Sequence, residues 1–577
     1  MSGIIGATNK DWNFESAIKA LRHRGTDSQQ IIHNPDFSLG FTRLALIDLS
    51  RAADQPMSVL DGKVWIVFDG KIYAYKTLRD QLISKGYQFK TESDTEVVLN
   101  AYLQWGDDFV DHIDGMFAIA IHDLRTRQLK LFRDRPGIKP LYYYYDRKNF
   151  AFASELKGIT ALCSDGSFLP DTTALYDYLT YSYIPEPKTF YKNVSRLLPA
   201  SELIFDLKEK RILNIRKYWR LNPTIHRDPS LKRIEEYSTE LRQLIHESVK
   251  DQLVADVPAG CFLSGGLDSS IIVAEASALK PDLETFTIGF ENKNYSESHF
   301  AESVAKNFRT QHHSKILTDV KPDQLFKALK TWYDEPFADT AAFPSFVIAQ
   351  YARQKTAIVL TGDGADEVFG GYARYKQAKR ILEWPRPFQH KLTARLSTWR
   401  KKFEQGSLLY KFLYGLDLVT CDEVTCYAML MGGMTDVDKK IYFKKWQIPK
   451  DYDTHWYYRL HYREDFPILT RLQYLDFHTY LPSNILTKID RVTMAVSLEA
   501  RIPFLSRKII EFTFSCPLNI LYDQEKLKGL LRKAYQDILP PQILLRERMS
   551  CGLPPQYLGR QNFWIQEKIL KEAFKIS

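Results

Sequence analysis

The sequence has little cysteine, no long apolar run and no strong excess of either charge. Its six cysteines, Cys163, Cys261, Cys421, Cys426, Cys516 and Cys551, form no CxxC pair. Cysteines so sparse and irregular exclude a disulfide scaffold and predict reduced thiols in a cytoplasm. No apolar stretch approaches the ~18–20 residues of a membrane span. The apolar part of the opening MSGIIGATNKDW is too short for a signal peptide. The expectation is a cytoplasmic protein with no membrane partner. Lys+Arg 79 against Asp+Glu 70 leaves a formal charge of +9 over 577 residues, which suits nucleotides and other small anions as well as nucleic acid. Nucleic-acid binding would need clustered cations. The one basic concentration, Lys376 to Lys402, reads as a solvated helical face or linker. Internal repeats and low-complexity tracts are absent.

What is present is core-forming material. Hydrophobic residues make up 45% and aromatics 13%, with 33 Tyr and 34 Phe, a balance that excludes wholesale disorder. At ~100–200 residues per domain the length predicts two to four domains.

The pattern changes along the chain. Residues 1–200 read as mostly β, in short apolar runs (Val64–Phe68, Phe117–Ile121, Leu129–Phe132, Leu141–Tyr145, Phe150–Ala153) broken by Asp, Gly and Asn, with a helix from Asp94. Residues 201–235 are charged and irregular and are expected to be a connector. From 236 to 577 strands alternate with helices: helix 234–252, strand 260–263, helix 269–279, strand 285–290, helices 296–308 and 341–354, strand 357–360. Such alternation implies parallel βαβ units. Beyond 375 the chain reads as mainly helical.

The strongest local signal is Phe262-Leu263-Ser264-Gly265-Gly266-Leu267-Asp268-Ser269-Ser270, at a strand-to-helix junction. Two glycines let backbone N–H groups approach an anion, the hydroxyls of Ser264, Ser269 and Ser270 add donors, and the helix start supplies positive potential. Asp268 would repel bare phosphate, which implies an intervening Mg²⁺. No GxxxxGK[ST] occurs, so this is not a Walker A loop. A second polar loop, Leu360-Thr361-Gly362-Asp363-Gly364-Ala365-Asp366-Glu367, follows a later strand. In a doubly wound sheet the two loops would flank one crevice. Asp268 and Asp366 could then share the metal, with Asp363 nearer the reacting acyl group.

The first loop resembles the pyrophosphate loop of ATP-pyrophosphatases, which cleave ATP between the α and β phosphates and adenylate an acceptor. The whole chain resembles the glutamine-dependent asparagine synthetases. The matching stretches are ALRHRGTD (20–27), GFTRLALIDLS (40–50), QPM (55–57), SDTE (93–96), DGMF (114–117), RDRPGIKPL (133–141), SGGLDSS, DEPF (334–337), GDGADEVFGGY and LTKIDRVTMAVSLEARIPFL (486–505). The resemblance implies a two-domain α/β protein: an N-terminal Ntn-type αββα sandwich, and a C-terminal ATP-pyrophosphatase-type doubly wound parallel sheet with added helices. It implies ATP and Mg²⁺ as cofactors, an acid such as aspartate as acceptor, and nitrogen that displaces AMP. It implies that Leu263, Ser264, Gly265, Gly266, Asp268, Ser269, Ser270, Thr361 and Gly362 hold the nucleotide, and that Ile288 lies against adenine. It places Asp363 and Asp366 in the crevice and makes Lys528 the cation that stabilises the adenylation transition state. Asp339, Thr340, Glu499 and Arg501 are candidates near the acceptor. A homodimer is compatible with this reading.

The glutaminase half departs from the family pattern. Those enzymes carry Cys directly after Met, and this chain has Ser2, a weaker nucleophile near neutral pH. Where the family has NGEIYNY, this chain has Asp69-Gly70-Lys71-Ile72-Tyr73-Ala74-Tyr75. Asp69 replaces the oxyanion-hole Asn, and an ionised carboxylate donates nothing to an oxyanion. Lys71 replaces the Glu that holds the substrate amine. Arg43 and Asp94 still match the glutamine-backbone positions. The expectation is an adenylating ligase with a lost or impaired glutaminase, its nitrogen coming from ammonia or an amine. Relatives lacking the N-terminal Cys close β-lactam rings, cyclise lasso peptides or amidate sugar acids, so a peptide or sugar acid is an alternative acceptor. A tRNA-modifying ATP-pyrophosphatase is disfavoured, since RNA-binding appendages and cysteine pairs are missing.

Overall fold

The structure is a computed structural model. It describes residues 2–163, 168–225, 233–292, 294–318, 322–383, 399, 403, 407–436, 439, 448–449, 451–523, 526–546, 552–553, 566 and 568–574. Cys551 and most of the basic stretch beyond Glu383 lie outside these residues.

The N-terminal part is two six-stranded antiparallel sheets. The first runs, in order, Val194–Arg196, Tyr142–Tyr145, Phe150–Ala153, Ser2–Ala7, Ser38–Arg43, Ser28–His33. The second runs Arg211–Lys217, Ser201–Asp206, Gln128–Arg133, Gly115–Asp123, Val64–Ile72, Met57–Val59. Period-two alternation sorts their side chains into layers. Ile4 packs into the core shared by both sheets, with Phe41, Phe152, Val67, Ala120 and Leu131. Its neighbour Ile5 turns outward, toward Ile18, Leu21, Leu156 and Ile159 of the helices Phe14–Leu21 and Leu156–Leu162. Val67 likewise faces inward, while Ile66 and Phe68 face Leu78, Leu82, Val97 and Val98 of the helices Tyr75–Ser84 and Asp94–Trp105.

The expected irregular connector is corrected here. Residues 201–206 and 211–217 are strands that extend the second sheet. The outer strand, RILNIRK, is an edge with most of its residues exposed. Charged residues on an edge strand discourage stray pairing, and they hide the strand from a hydrophobicity pattern.

The C-terminal part centres on five parallel strands: β1 Ala259–Phe262, β2 Glu284–Phe290, β3 Gln311–Leu317, β4 Ile358–Leu360 and β5 Glu499–Arg501. Their spatial order is β3-β2-β1-β4-β5. The order reverses between β1 and β4, which opens a crevice at the carboxyl ends of those two strands. Strands β1, β2 and β4 were expected; β3 and β5 were not. β3 (QHHSKIL) is a largely exposed edge strand, and β5 is three residues embedded in a helical region. Helices Ile234–Leu253, Leu267–Leu279, Ser298–Asn307 and Ala342–Arg353 fall where expected. Among the described residues no helix is long and apolar enough to cross a membrane. The five described cysteines are buried, and none of them is in a disulfide.

The two parts meet through buried charge. Arg24, fully buried, donates to Asp490 of the helix Thr487–Met494 (2.8 and 3.1 Å) and to Glu155 (2.8 Å). Arg491 in turn pairs with Glu155 at 2.7 Å.

Candidate functional site

The two expected loops leave β1 and β4, on either side of the strand-order reversal. After β1 the backbone turns at Gly265 with φ +76°, and a Cβ there would meet the Ala301 nitrogen at 2.5 Å. The turn is held from within. The Gly266 N–H donates to Ser264 Oγ (3.2 Å), the Ser264 N–H donates to Ser269 Oγ (3.2 Å), and the two hydroxyls lie 3.0 Å apart. The helix Leu267–Leu279 then starts, presenting its unpaired N–H groups to the crevice.

After β4, the Thr361 N–H donates to the Arg501 carbonyl (2.9 Å), and its hydroxyl donates to the Asp363 carboxylate. Gly362 brings the loops into contact: a Cβ there would lie 2.8 Å from the Ser269 nitrogen and 2.9 Å from Asp268 Cβ. Gly371 does the same for Lys528, since a Cβ would meet Asp366 Oδ1 at 2.0 Å and Lys528 Cε at 2.2 Å. Lys528, itself at φ +56°, bridges the loops, with Nζ 2.6 and 2.7 Å from the Asp268 oxygens and 2.5 Å from Asp366 Oδ1. Burial works to lower the Lys528 pKa, but Asp268 and Asp366 outweigh it and raise it.

Most of the expected residues share one cavity of about 1380 Å³. Leu263, Ser264, Gly266, Asp268, Ser269 and Ile288 line it from the first side. Thr361, Gly362, Asp363, Asp366 and Lys528 line it from the second. Two of the expected residues lie off its wall. Ser270 is fully buried and donates to the Gly266 carbonyl (2.7 Å), satisfying its own helix rather than facing the cavity. Gly265 also stays off the wall, its carbonyl accepting from Arg546 (3.0 Å).

The acceptor candidates divide. Asp339 caps the helix after it, accepting from the Ala341 N–H (2.8 Å), and pairs with Lys488 of the cavity wall (3.2 Å). Thr340 does not line the cavity. Glu499 and Arg501 do not line the cavity. They form a buried ion pair (2.5 Å), Arg501 also donates to the Val254 carbonyl (2.9 Å), and the Glu499 pKa, though burial opposes it, is held down at about 2 by Arg501.

Two cavity residues went unremarked in the sequence. Burial would lower the Lys488 pKa, but Asp339 and Asp363 raise it instead, marking a cation that faces Asp363. Glu367 is buried, accepts from the Tyr372 hydroxyl, and has its pKa pushed up to about 7 by burial and then by Asp366. Each stands inside a quoted stretch (KIDR, GADE), but its chemistry depends on neighbours distant in sequence.

The N-terminal expectations also come together, in two groups. Ser2 and Arg43 are cross-strand partners. The Ser2 N–H donates to Asp69 Oδ1 (2.9 Å), Arg24 donates to Asp69 Oδ2 (2.9 Å) and to the Ser2 carbonyl (3.0 Å). Asp69 is therefore an acceptor on both oxygens, fully buried. Lys71 lies 3.4 Å from Asp94 and 4.0 Å from the Tyr75 ring centroid. Burial lowers its pKa against the pull of Asp94. Asp94 also accepts from the Ile72 N–H (3.0 Å). Gly70 sits where a Cβ would strike the Met116 carbonyl at 2.1 Å. Arg43 does not join Asp94; it pairs with Asp54 (2.7 Å) and the Ser50 carbonyl (2.7 Å). Arg24 is the residue that motif reading missed, quoted only within ALRHRGTD.

Comparison with known proteins agrees with this geometry. Residues 240–575 match the asparagine synthase family and residues 1–219 match the glutamine amidotransferase domain. Asparagine synthetase [glutamine-hydrolyzing] 1 of Bacillus subtilis is 32% identical over 595 residues, covering 99% of this chain and 90% of the relative. Asparagine synthetase [glutamine-hydrolyzing] 3 of the same organism is 30% identical, covering 95% and 85%. With its two loops meeting at the crevice of a parallel sheet, the chain belongs to the asparagine synthase family of ATP-dependent amide-forming ligases.

Proposed function

We propose that the C-terminal part adenylates a carboxylic acid and passes the acyl group to a nitrogen nucleophile, while the N-terminal part, a four-layer Ntn-type sandwich ending near residue 217, no longer hydrolyses glutamine. In the first step a carboxylate oxygen bonds to the α-phosphorus of ATP. The α–β bridging bond breaks, and pyrophosphate leaves with the electron pair. In the second step the nitrogen attacks the acyl carbon, loses a proton, and AMP leaves as the anion. Gly266 and the helix start behind it suit the pyrophosphate, Ile288 suits the base, and Lys528 suits the charge that grows on the α-phosphate. Asp363 and Lys488 lie on the acceptor side.

Asp268 and Asp366 converge on one cation, Lys528 Nζ, so the pair fits a shared Mg²⁺. Among the described residues no cluster of three or more His, Cys, Asp or Glu could hold a metal, and Mg²⁺ commonly completes its shell with phosphate oxygens and water. When bound, Mg²⁺ neutralises the pyrophosphate leaving group.

The observation that carries the loss of glutaminase is the occupation of Asp94 by Lys71, beside an Asp69 engaged as acceptor by Ser2 and Arg24. Loss of one oxyanion donor alone costs ~3–4 kcal/mol of transition-state stabilisation. The test is ATP–pyrophosphate exchange over a panel of carboxylates that includes aspartate, with and without ammonia or glutamine, with glutamate release followed in parallel. The reading expects acid-dependent exchange indifferent to glutamine, and amide formation driven by ammonia or an added amine. Steady glutamate release would overturn the glutaminase part, and failure to bind nucleotide would overturn the adenylation part.

A further inference from the structure

The cavity extends past the two loops along the helix Ala373–Leu382. That helix follows Gly371, which lies against both Asp366 and Lys528. Its Lys376, Gln377, Arg380 and Ile381 line the same cavity. Lys376 and Arg380, four residues apart, share one helix face. The other cations of the wall are engaged: Lys528 with Asp268 and Asp366, Lys488 with Asp339, Lys533 with Glu235 and Arg546 with Glu297, and Lys526 is likewise not free. Arg532 donates to the carbonyls of Leu527 (3.1 Å), Leu544 and Arg546. Among the described residues neither Lys376 nor Arg380 has a carboxylate partner. Two adjacent like charges repel, and a wall that keeps them uncompensated is a wall for an anion.

Their position sets a length. At ~1.5 Å per residue, Lys376 stands about 6 Å and Arg380 about 12 Å along the helix from its Tyr372 end, beside Lys528. The two carboxyl carbons of aspartate are only about 4 Å apart, separated by two tetrahedral carbons with bonds near 1.5 Å. The backbone of Arg380 therefore stands further from the Lys528 end than the span of aspartate. The volume agrees: about 1380 Å³ exceeds the ~300–1,000 Å³ of ordinary ligand pockets, so space remains beside a nucleotide.

We infer that the acceptor is an elongated acid, with its reacting carboxylate at the Lys528 end and a second anionic group, phosphate or carboxylate, on Lys376 and Arg380 further along the helix. The inference rests on the adenylation reading and names its substrate class. Part of the basic stretch read in the sequence as a solvated face thereby becomes a recognition surface.

The probe is inorganic sulfate, a dianion soluble with magnesium. It is titrated calorimetrically into the full-length protein saturated with Mg²⁺ and a non-hydrolysable ATP analogue, which fills the pyrophosphate loop. The expected result is saturable sulfate binding at millimolar concentration, weakened at least tenfold in the double variant Lys376→Ala/Arg380→Ala and partly restored by Lys376→Arg/Arg380→Lys. Affinity for the nucleotide analogue, measured in the same samples, reports that each variant is folded. No sulfate binding by the nucleotide-loaded wild type would overturn the inference, as would binding that the double variant leaves unchanged. Failure of the wild type to bind the nucleotide would instead count against adenylation, so the two readings fail separately.

Discussion

Lys71 offers the sharpest test of how the N-terminal half differs from a working glutaminase. Its ammonium stands where, by resemblance, a Glu holds the substrate amine, and it lies 3.4 Å from Asp94, a position that matches the glutamine-backbone site. A glutamine docked on Asp94 would bring two unit cations within about 4 Å. At an effective dielectric near 20 they repel by about 4 kcal/mol, or roughly three powers of ten in affinity. Lys71→Ala removes the repulsion and vacates the volume, while Asp94 keeps its hydrogen bond from the Ile72 N–H. Calorimetric titration with glutamine is therefore expected to show binding in Lys71→Ala at least 100-fold tighter than in the wild type, allowing for partial relief by side-chain movement. Hydrolysis should remain absent, because Ser2 and Asp69 are unchanged. Adding Asp69→Asn restores a donor worth ~10²–10³ in rate, and adding Ser2→Cys restores the stronger nucleophile. Glutamate release should climb only along that series. Wild-type affinity for glutamine equal to that of Lys71→Ala would refute the argument, because Asp94 would then not be blocked.

Other outcomes follow from the same geometry. Gly362→Ala places a Cβ 2.8 Å from the Ser269 nitrogen; separating two packed backbones costs ~1–3 kcal/mol, so nucleotide affinity should fall at least tenfold in a fluorescence titration. Lys528→Met leaves Asp268 and Asp366 facing each other without their shared cation, and should cut pyrophosphate exchange at least 100-fold while Mg²⁺ raises the melting temperature more than in the wild type. Arg24→Met leaves Asp69, Glu155 and Asp490 with one fewer buried partner, and breaking such a pair costs ~3–5 kcal/mol, readable in urea denaturation. Glu367 has a folded-state pKa of about 7 against an ordinary 4.5. The folded state therefore binds the extra proton between those values, and stability from this group is full below pH 4.5 and lost as pH rises through 7. The fall, up to about 3 kcal/mol, should be absent in Glu367→Gln and so appear in the difference between the wild-type and Glu367→Gln curves.

Motifs were legible where local order alone decides the structure. SGGLDSS announces a strand-to-helix turn because two glycines and a hydroxyl cluster interrupt apolar periodicity, and the turn is held by bonds among Ser264, Gly266 and Ser269. The five-strand sheet was readable except at β3 and β5, where polar edge residues erase the apolar signal. The place of Ser270 was not legible, because a hydroxyl in the first helical turn can as well back-bond its own helix, as it does here. The strand Arg211–Lys217 was missed for the reason it is tolerated as an edge: charge.

What the chain does not display in one dimension is which charges cancel. Glu499 and Arg501 look like site chemistry in a string of letters, yet they neutralise each other inside the fold. Lys71 and Asp94, 23 positions apart, close a pocket by the same means. Arg24 looks like any basic residue, but it ties Ser2, Asp69, Glu155 and Asp490 into one buried network. That network joins the two halves: without Arg24 and Lys139, Asp490 would be buried with two fewer counter-charges. Lys376 and Arg380 are the converse case, with no carboxylate to cancel them among the described residues. Lys376 is half-buried and Arg380 exposed on the cavity wall, so an anion that reaches them gains contacts the fold itself does not supply, and for that reason the identity of the acceptor is to be sought at the far end of the Ala373–Leu382 helix.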